Sequence, residues 1–132
     1  AFVMAPKPQL IRVFVNLITN AIQAVEMHQR EMGAAEGCEF VGKVMIYLRN
    51  STKDGFYDVV VDDNGSGVKE ENIGKLFTPN FTTKSAGTGL GLAICRNIME
   101  KCGGEISYKR SFSLGGASFT VTIPKKNDDD EC

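Results

Sequence analysis

The sequence has one histidine, no C-x-x-C pair of cysteines, almost no net charge, and no apolar run approaching the ~20 residues of a membrane-spanning helix. Each shortage argues against a class of function. His28 without paired cysteines does not make the ligand set of a structural zinc site. A formal net charge of −1 leaves no basic excess to meet phosphate backbones or anionic lipid. Nucleic acid and direct membrane contact are therefore not expected partners. The cysteines are Cys38, Cys95, Cys102 and Cys132. Cys95 and Cys102 fall on one predicted helix, about 10.5 Å apart along its axis. That exceeds the ~7 Å Cα separation a disulfide spans. Reduced thiols in a cytoplasmic protein are the expectation. Ala1 to Met4 is too short for a signal peptide.

What is present suits one globular domain. The chain has 132 residues, of which 42% are hydrophobic. A chain of that length buries roughly two-thirds of its unfolded surface and needs no disulfide staple. From Gln9 to about Met27, Leu10, Val13, Phe14, Leu17, Ile18, Ala21, Ala24 and Val25 recur at helical spacing. The other face carries Arg12, Asn16, Thr19, Asn20 and Gln23. Asn16 and Asn20 lie one turn apart and point the same way. Asparagine is a poor interior helix residue, so the pair suits either a solvated face or the wall of a polar cleft. Residues 28–43 lose periodicity and are expected to be a loop or a frayed extension, with His28 on the surface. Lys43 to Asn50 and Phe56 to Asp63 read as strands joined by a hairpin turn. Glu70 to Leu76 suits a short helix and Leu90 to Cys102 a second long one, capped by Gly103-Gly104. Glu105 to Lys109 and Ala117 to Ile123 read as the last strands, turned by Leu114-Gly115-Gly116. Residues 1–124 are thus one expected domain, and Lys125 to Cys132 a charged tail expected to be disordered.

Two glycine-rich turns organise the chain. Asp63-Asn64-Gly65-Ser66-Gly67 closes the second strand. Gly87-Thr88-Gly89-Leu90-Gly91-Leu92 opens the second long helix. Between them runs a polar connector, Phe77 to Lys84 and beyond, suited to a mobile lid. Glycines let backbone N–H groups approach a ligand, and a helix N-terminus adds unpaired donors and a positive dipole end. The combination suits an anion, above all a phosphate. It is not a Walker loop, since no Gly-Lys-Ser/Thr follows. Nor is it a dinucleotide fingerprint, since the glycine spacing differs and no strand precedes it.

An Asn-bearing helix, an Asp-Asn-Gly-x-Gly turn, a Phe/Thr/Lys connector and a Gly-x-Gly-x-Gly helix start occur here in fixed order. This order resembles the catalytic, ATP-binding domain of sensor histidine kinases, in the GHKL superfamily that also holds DNA gyrase. Asn16 to Ala21 matches the N box, Asp63 to Gly67 the G1 box, Phe77 to Phe81 the F box, and Gly87 to Leu92 the G2 box. The resemblance spans about residues 5–124 and is nearest the nitrogen-sensor branch. It implies a Bergerat fold: a two-layer α/β (α+β) sandwich with helices on one face of a mixed, mostly antiparallel sheet.

The resemblance also implies roles. Asn20 would bind Mg²⁺ through its amide oxygen, and Asn16 would line the phosphate side. Asp63 would accept a hydrogen bond from the adenine amino group, with Gly65 and Gly67 admitting the base. Gly87, Thr88, Gly89, Leu90, Gly91 and Leu92 would present the helix start to the triphosphate. Phe81, Thr83 and Lys84 would act from the lid, with Lys84 reaching the β- or γ-phosphate. Ser118 would contact the adenine side through a water.

Departures from the family pattern refine this. Hydrolytic members carry a Glu four residues before the metal-binding Asn. Here that residue is Asn16, which cannot act as a base, so transfer is favoured over hydrolysis. His28 lacks the His-Glu/Asp-x-x-x-Pro setting of a phosphorylated histidine. The expected function is to bind Mg-ATP and donate the γ-phosphate to a histidine on a separate dimerisation/phosphoacceptor domain, with a response regulator as indirect partner. The alternatives are a GHKL-type ATPase and a nucleotide-sensing module that does not transfer phosphate.

Overall fold

The computed structural model describes residues 7–33, 40–78 and 91–125. The first element is a long helix, α1, Lys7–Gly33. Its predicted apolar stripe is the buried one: Val13 and Leu17 are fully buried, with Leu10, Ala21 and Val25 beside them. Full burial of a side chain such as Leu17 is worth roughly 1.5–3 kcal/mol. The helix runs two residues further at its start and six at its end than the periodicity suggested. Gln29 to Met32 are good helix formers with no breaker before Gly33. The apolar period ends because Gln29, Arg30 and Glu31 are exposed with nothing to pack against. His28 is therefore helical, and its ring packs edge-on against Phe40 at 4.9 Å. By length and composition alone Pro8–Met32 could cross a membrane. Its buried stripe instead covers the sheet, as the core helix of a globular domain.

The strands are β1, Val44–Asn50; β2, Phe56–Asp63; β3, Glu105–Arg110; and β4, Ala117–Pro124. Their order is β1-β2-β4-β3. All three pairings are antiparallel, with Val61 opposite both Ile46 and Phe119. The strands alternate by face. Val61, Ala117, Phe119, Val121 and Ile123 join α1 in the main core, with Cys95 and Met99 of a further helix. The second face carries Asp58, Val60, Asp62, Ser118, Thr120 and Thr122, all short side chains. There Asp58 accepts from Thr122 Oγ1 at 2.8 Å and pairs with Arg49 at 3.3 Å across three strands. Among the described residues β1 is an edge strand; its Ile46 and Leu48 are about half exposed.

Two more helices complete the described chain. α2, Glu70–Ile73, starts on two acidic residues that favour its N-terminal dipole. It is shorter than predicted and dissolves into turns by Gly74. α3, Gly91–Lys101, buries Ala93, Cys95 and Met99. It ends where Gly103 adopts φ +78° and Gly104 N–H donates to Met99 O at 2.8 Å. A Cβ on Gly104 would land on the Thr122 carbonyl oxygen, so only glycine lets the chain turn into β3.

Candidate functional site

The site begins where β2 stops. Strand alternation sends Asp63 to the helix side and Asp62 to the other. Asp63 is 2% exposed. Its Oδ1 accepts from Gly65 N–H at 2.8 Å and from Ala117 N–H at 3.3 Å. Its backbone oxygen accepts from Gly116 N–H at 3.1 Å. One acidic side chain is thus tied to its own turn and to the β3–β4 connection far along the chain. Charge-assisted bonds of this kind orient a carboxylate firmly.

The first glycine turn is packed as well as bonded. A Cβ on Gly65 would meet Ala24 O at 2.9 Å and Asp63 Oδ1 at 3.0 Å, so α1 lies directly on the turn. Gly67 has φ +76°, in the left-handed region that glycine alone enters freely. Val68 N–H then donates to Tyr108 Oη at 3.2 Å. Asn64 serves the turn itself: its Oδ1 accepts from Lys43 N–H at 2.7 Å and its Nδ2 donates to Val41 O at 2.8 Å.

The asparagine face of α1 meets the start of α3. Asn16 and Asn20 are each half-buried. Asn16 Nδ2 donates to Cys95 Sγ at 3.6 Å. A Cβ on Gly91 would lie 4.0 Å from the Asn16 carboxamide. Gly91, the first residue of α3, therefore sits beside Asn16. Phe77 packs edge-to-face on Phe119 at 6.4 Å, anchoring the start of the connector to the core. Burial raises the Cys95 thiol above its ordinary value, only partly offset by the Asn16 hydrogen bond and the Arg12 charge. The thiol stays protonated near neutrality.

Not every expected residue converges here. Ser118 stands opposite Asp62 in the β2–β4 register, so it faces away from Asp63. It is buried on the second face of the sheet, where Ser111 Oγ donates to Asp62 Oδ2 at 3.3 Å. The adenine-side role expected of Ser118 is not supported: a one-residue offset along a strand reverses the face. Ala117, its neighbour, takes the inward position. Phe81, Thr83, Lys84, Gly87, Thr88, Gly89 and Leu90 lie outside the described residues. Gly116, Ala117 and Cys95 were not singled out from sequence. Gly115-Gly116 was legible as a turn, but nothing local to it points to Asp63.

No group of three or more His, Cys, Asp or Glu suited to hold a metal occurs among the described residues. The carboxamides of Asn16 and Asn20 are neutral oxygen donors. They fit a hard cation that takes its remaining ligands from phosphates and water.

Residues 6–127 match the family described as histidine kinase-, DNA gyrase B-, and HSP90-like ATPase. The sensor protein FixL of Bradyrhizobium diazoefficiens is 34% identical over 126 residues, covering 96% of this chain and 22% of that protein. The sensor histidine kinase ZraS of Salmonella typhimurium is 35% identical over 122 residues, covering 92% of this chain and 23% of that protein. The nucleotide-free catalytic domain of the histidine kinase ThkA is similar with a TM-score of 0.70 at 35% identity, covering 92% of this chain and 69% of that one. The chain spans less than a quarter of the length of these curated relatives.

Proposed function

The chain belongs to the histidine kinase-, DNA gyrase B-, and HSP90-like ATPase family, and from that premise we propose that it binds Mg-ATP and donates the γ-phosphate to a histidine on a separate dimerisation/phosphoacceptor domain. The observation that carries this is the Asp63 carboxylate. It is buried, clamped by Gly65 and Ala117 N–H groups, and closely framed by Gly65 and Gly116, where a side chain would collide. A carboxylate is a pure acceptor. It pairs with the exocyclic amine of adenine and has no partner in the carbonyl that guanine carries there.

The remaining roles follow from position. Asn20 would give its carboxamide oxygen to Mg²⁺, which screens phosphate charge when bound. Asn16 would lie between that cation and the start of α3. Gly87 to Leu92 would cradle the phosphates, with Phe81, Thr83 and Lys84 closing from the lid. Phosphoryl transfer asks for positioning and charge stabilisation more than for covalent chemistry from the protein. The acceptor imidazole nitrogen forms the new N–P bond, the bond from phosphorus to the bridging oxygen breaks, and ADP leaves with that electron pair. Asn16 stands where a water-activating Glu would make the domain a hydrolase. In this reading the domain works in the cytoplasm, and a response regulator receives the phosphoryl group afterwards.

Calorimetry with ATP and GTP, with and without magnesium, tests the binding half. The intact chain is compared with Asp63→Asn and Asn20→Ala. ATP should bind in preference to GTP, Asp63→Asn should lose the preference, and Asn20→Ala should lose the magnesium dependence. Labelled γ-phosphate should then appear on a phosphoacceptor hairpin supplied in trans. A folded chain that ignores ATP would sink the proposal, and so would steady phosphate release without transfer.

A further inference from the structure

We propose that Cys95 is a positioning residue for the phosphate side of the site, its thiol fixing which end of the Asn16 carboxamide faces the nucleotide. The proposal rests on the nucleotide reading above. Cys95 is fully buried in the first turns of α3 and touches α1 at two points. Its Sγ accepts from Asn16 Nδ2 at 3.6 Å, and its S–H donates to the Val13 carbonyl at 3.8 Å. Val13 and Asn16 are three residues apart, so the thiol bridges neighbouring positions on one face of α1. The two bonds support each other. A thiol that gives its proton to Val13 O turns its lone pairs towards the amide.

The consequence concerns the other end of that amide. A carboxamide has two donors on nitrogen and an acceptor oxygen, nearly equal in size. On an open helix face it turns freely. Here the nitrogen is committed to sulfur, so Oδ1 is the group left to face Gly91, the first residue of α3. Asn16 is thereby an acceptor at the phosphate end. An acceptor there suits a cation or the water around it, and opposes a bare phosphate oxygen. Gly91 and Cys95 are one turn apart on α3. Asn16 therefore also links α1 to the helix start that carries the second glycine turn.

The test compares Cys95→Val with Cys95→Ser. Valine keeps the buried space apolar and removes both hydrogen bonds; serine restores a donor and an acceptor. Affinities for Mg-ATP and for adenosine are measured by calorimetry on each. The Asn16 side-chain amide signal is followed by NMR. Cys95→Val should weaken Mg-ATP about five- to tenfold, as the loss of one orienting hydrogen bond implies. Adenosine should bind as it does to the wild type. The Asn16 amide signal should shift in Cys95→Val, and Cys95→Ser should recover most of both effects. Equal weakening of Mg-ATP and adenosine would mean a merely structural cysteine and would overturn the proposal. An unmoved Asn16 signal would overturn it too. Failure of the wild type to bind ATP would refute the nucleotide reading instead, and the amide signal would still decide whether the thiol holds Asn16.

Discussion

Replacing Gly116 by alanine probes the Asp63 clamp without touching Asp63. Gly116 lies outside the left-handed region, so alanine can adopt its backbone conformation. Space is the obstacle. The added Cβ would collide with Asp63 Oδ1, and would lie 2.5 Å from Asp63 O and 2.7 Å from Gly65 N. Carbon needs ~3.5 Å from such atoms, so a shift of about 1 Å is forced. Two of these atoms are backbone, and the third, Asp63 Oδ1, is held by two hydrogen bonds. Three hydrogen bonds meet there: Gly116 N–H to Asp63 O, and the Gly65 and Ala117 N–H groups to Asp63 Oδ1. Overpacking costs about 1–3 kcal/mol, and weakening a bond to a buried charge costs about 1–2 kcal/mol more. We expect a loss of roughly 2–5 kcal/mol, which lowers Tm by roughly 10 °C or more in a domain of this size. ATP affinity should fall at least about tenfold, since the displaced carboxylate no longer meets the adenine amine squarely. Calorimetry at a temperature where the variant is folded separates the two effects. Gly74→Ala is the control: nothing lies within 4 Å of its Cβ position and its φ is −67°. It should be neutral or slightly stabilising. If Gly116→Ala keeps the wild-type Tm and ATP affinity, the carboxylate is not held as described and the assignment of the base pocket falls.

Asp63→Asn should keep the Oδ1 bonds to Gly65 and Ala117 but replace an acceptor by a donor. ATP affinity should drop about ten- to a hundredfold, with little change in adenine-independent phosphate binding. Titrations with ATP and with pyrophosphate check this. Gly104→Ala should destabilise by about 1–3 kcal/mol, because its Cβ would strike Thr122 O and lie 2.7 Å from Met99 Cε. A denaturant midpoint should move, while ATP affinity of the folded variant should not. The Cys95 thiol predicts a pH dependence. Its folded value is raised above 9.0 by burial, so its contribution is fully present below the unfolded value and is lost as pH rises through the folded one. The stability difference between the wild type and Cys95→Val should be constant through neutral pH and shrink in alkaline solution. Denaturant melts across that range measure it, and a difference that shrank on acidification would contradict the assignment.

Much of this was legible before any coordinates. The aromatic and β-branched run from Phe56 to Val61 marked a strand, and the stripe from Leu10 to Val25 marked a long amphipathic helix. Gly103-Gly104 was legible as a helix stop because glycine's conformational freedom is a local property. The order of four motifs pointed to nucleotide chemistry because short spacings survive translation into structure. Where inference went astray, a longer-range fact had decided. Residues 28–33 read as loop or frayed extension because periodicity reports packing, and an exposed helical end packs against nothing. Ser118 was named as a ligand contact only because the family resemblance implied it. Strand register, set 56 residues away by Asp62, turned it to the other face.

The sequence by itself determined the elements, their amphipathic faces and the kind of ligand the glycine turns admit. All of these depend on neighbours within a turn or two of chain. Only the tertiary structure decided which groups share a site. It set Asp63 under the N–H groups of Gly65 and Ala117, closed Gly116 over it, and placed the Cys95 thiol between Val13 and Asn16. Such pairings join segments dozens of residues apart, and they form only when the sheet's register and the helix contacts are settled together. No local pattern encodes them, because each depends on where the partner segment comes to rest.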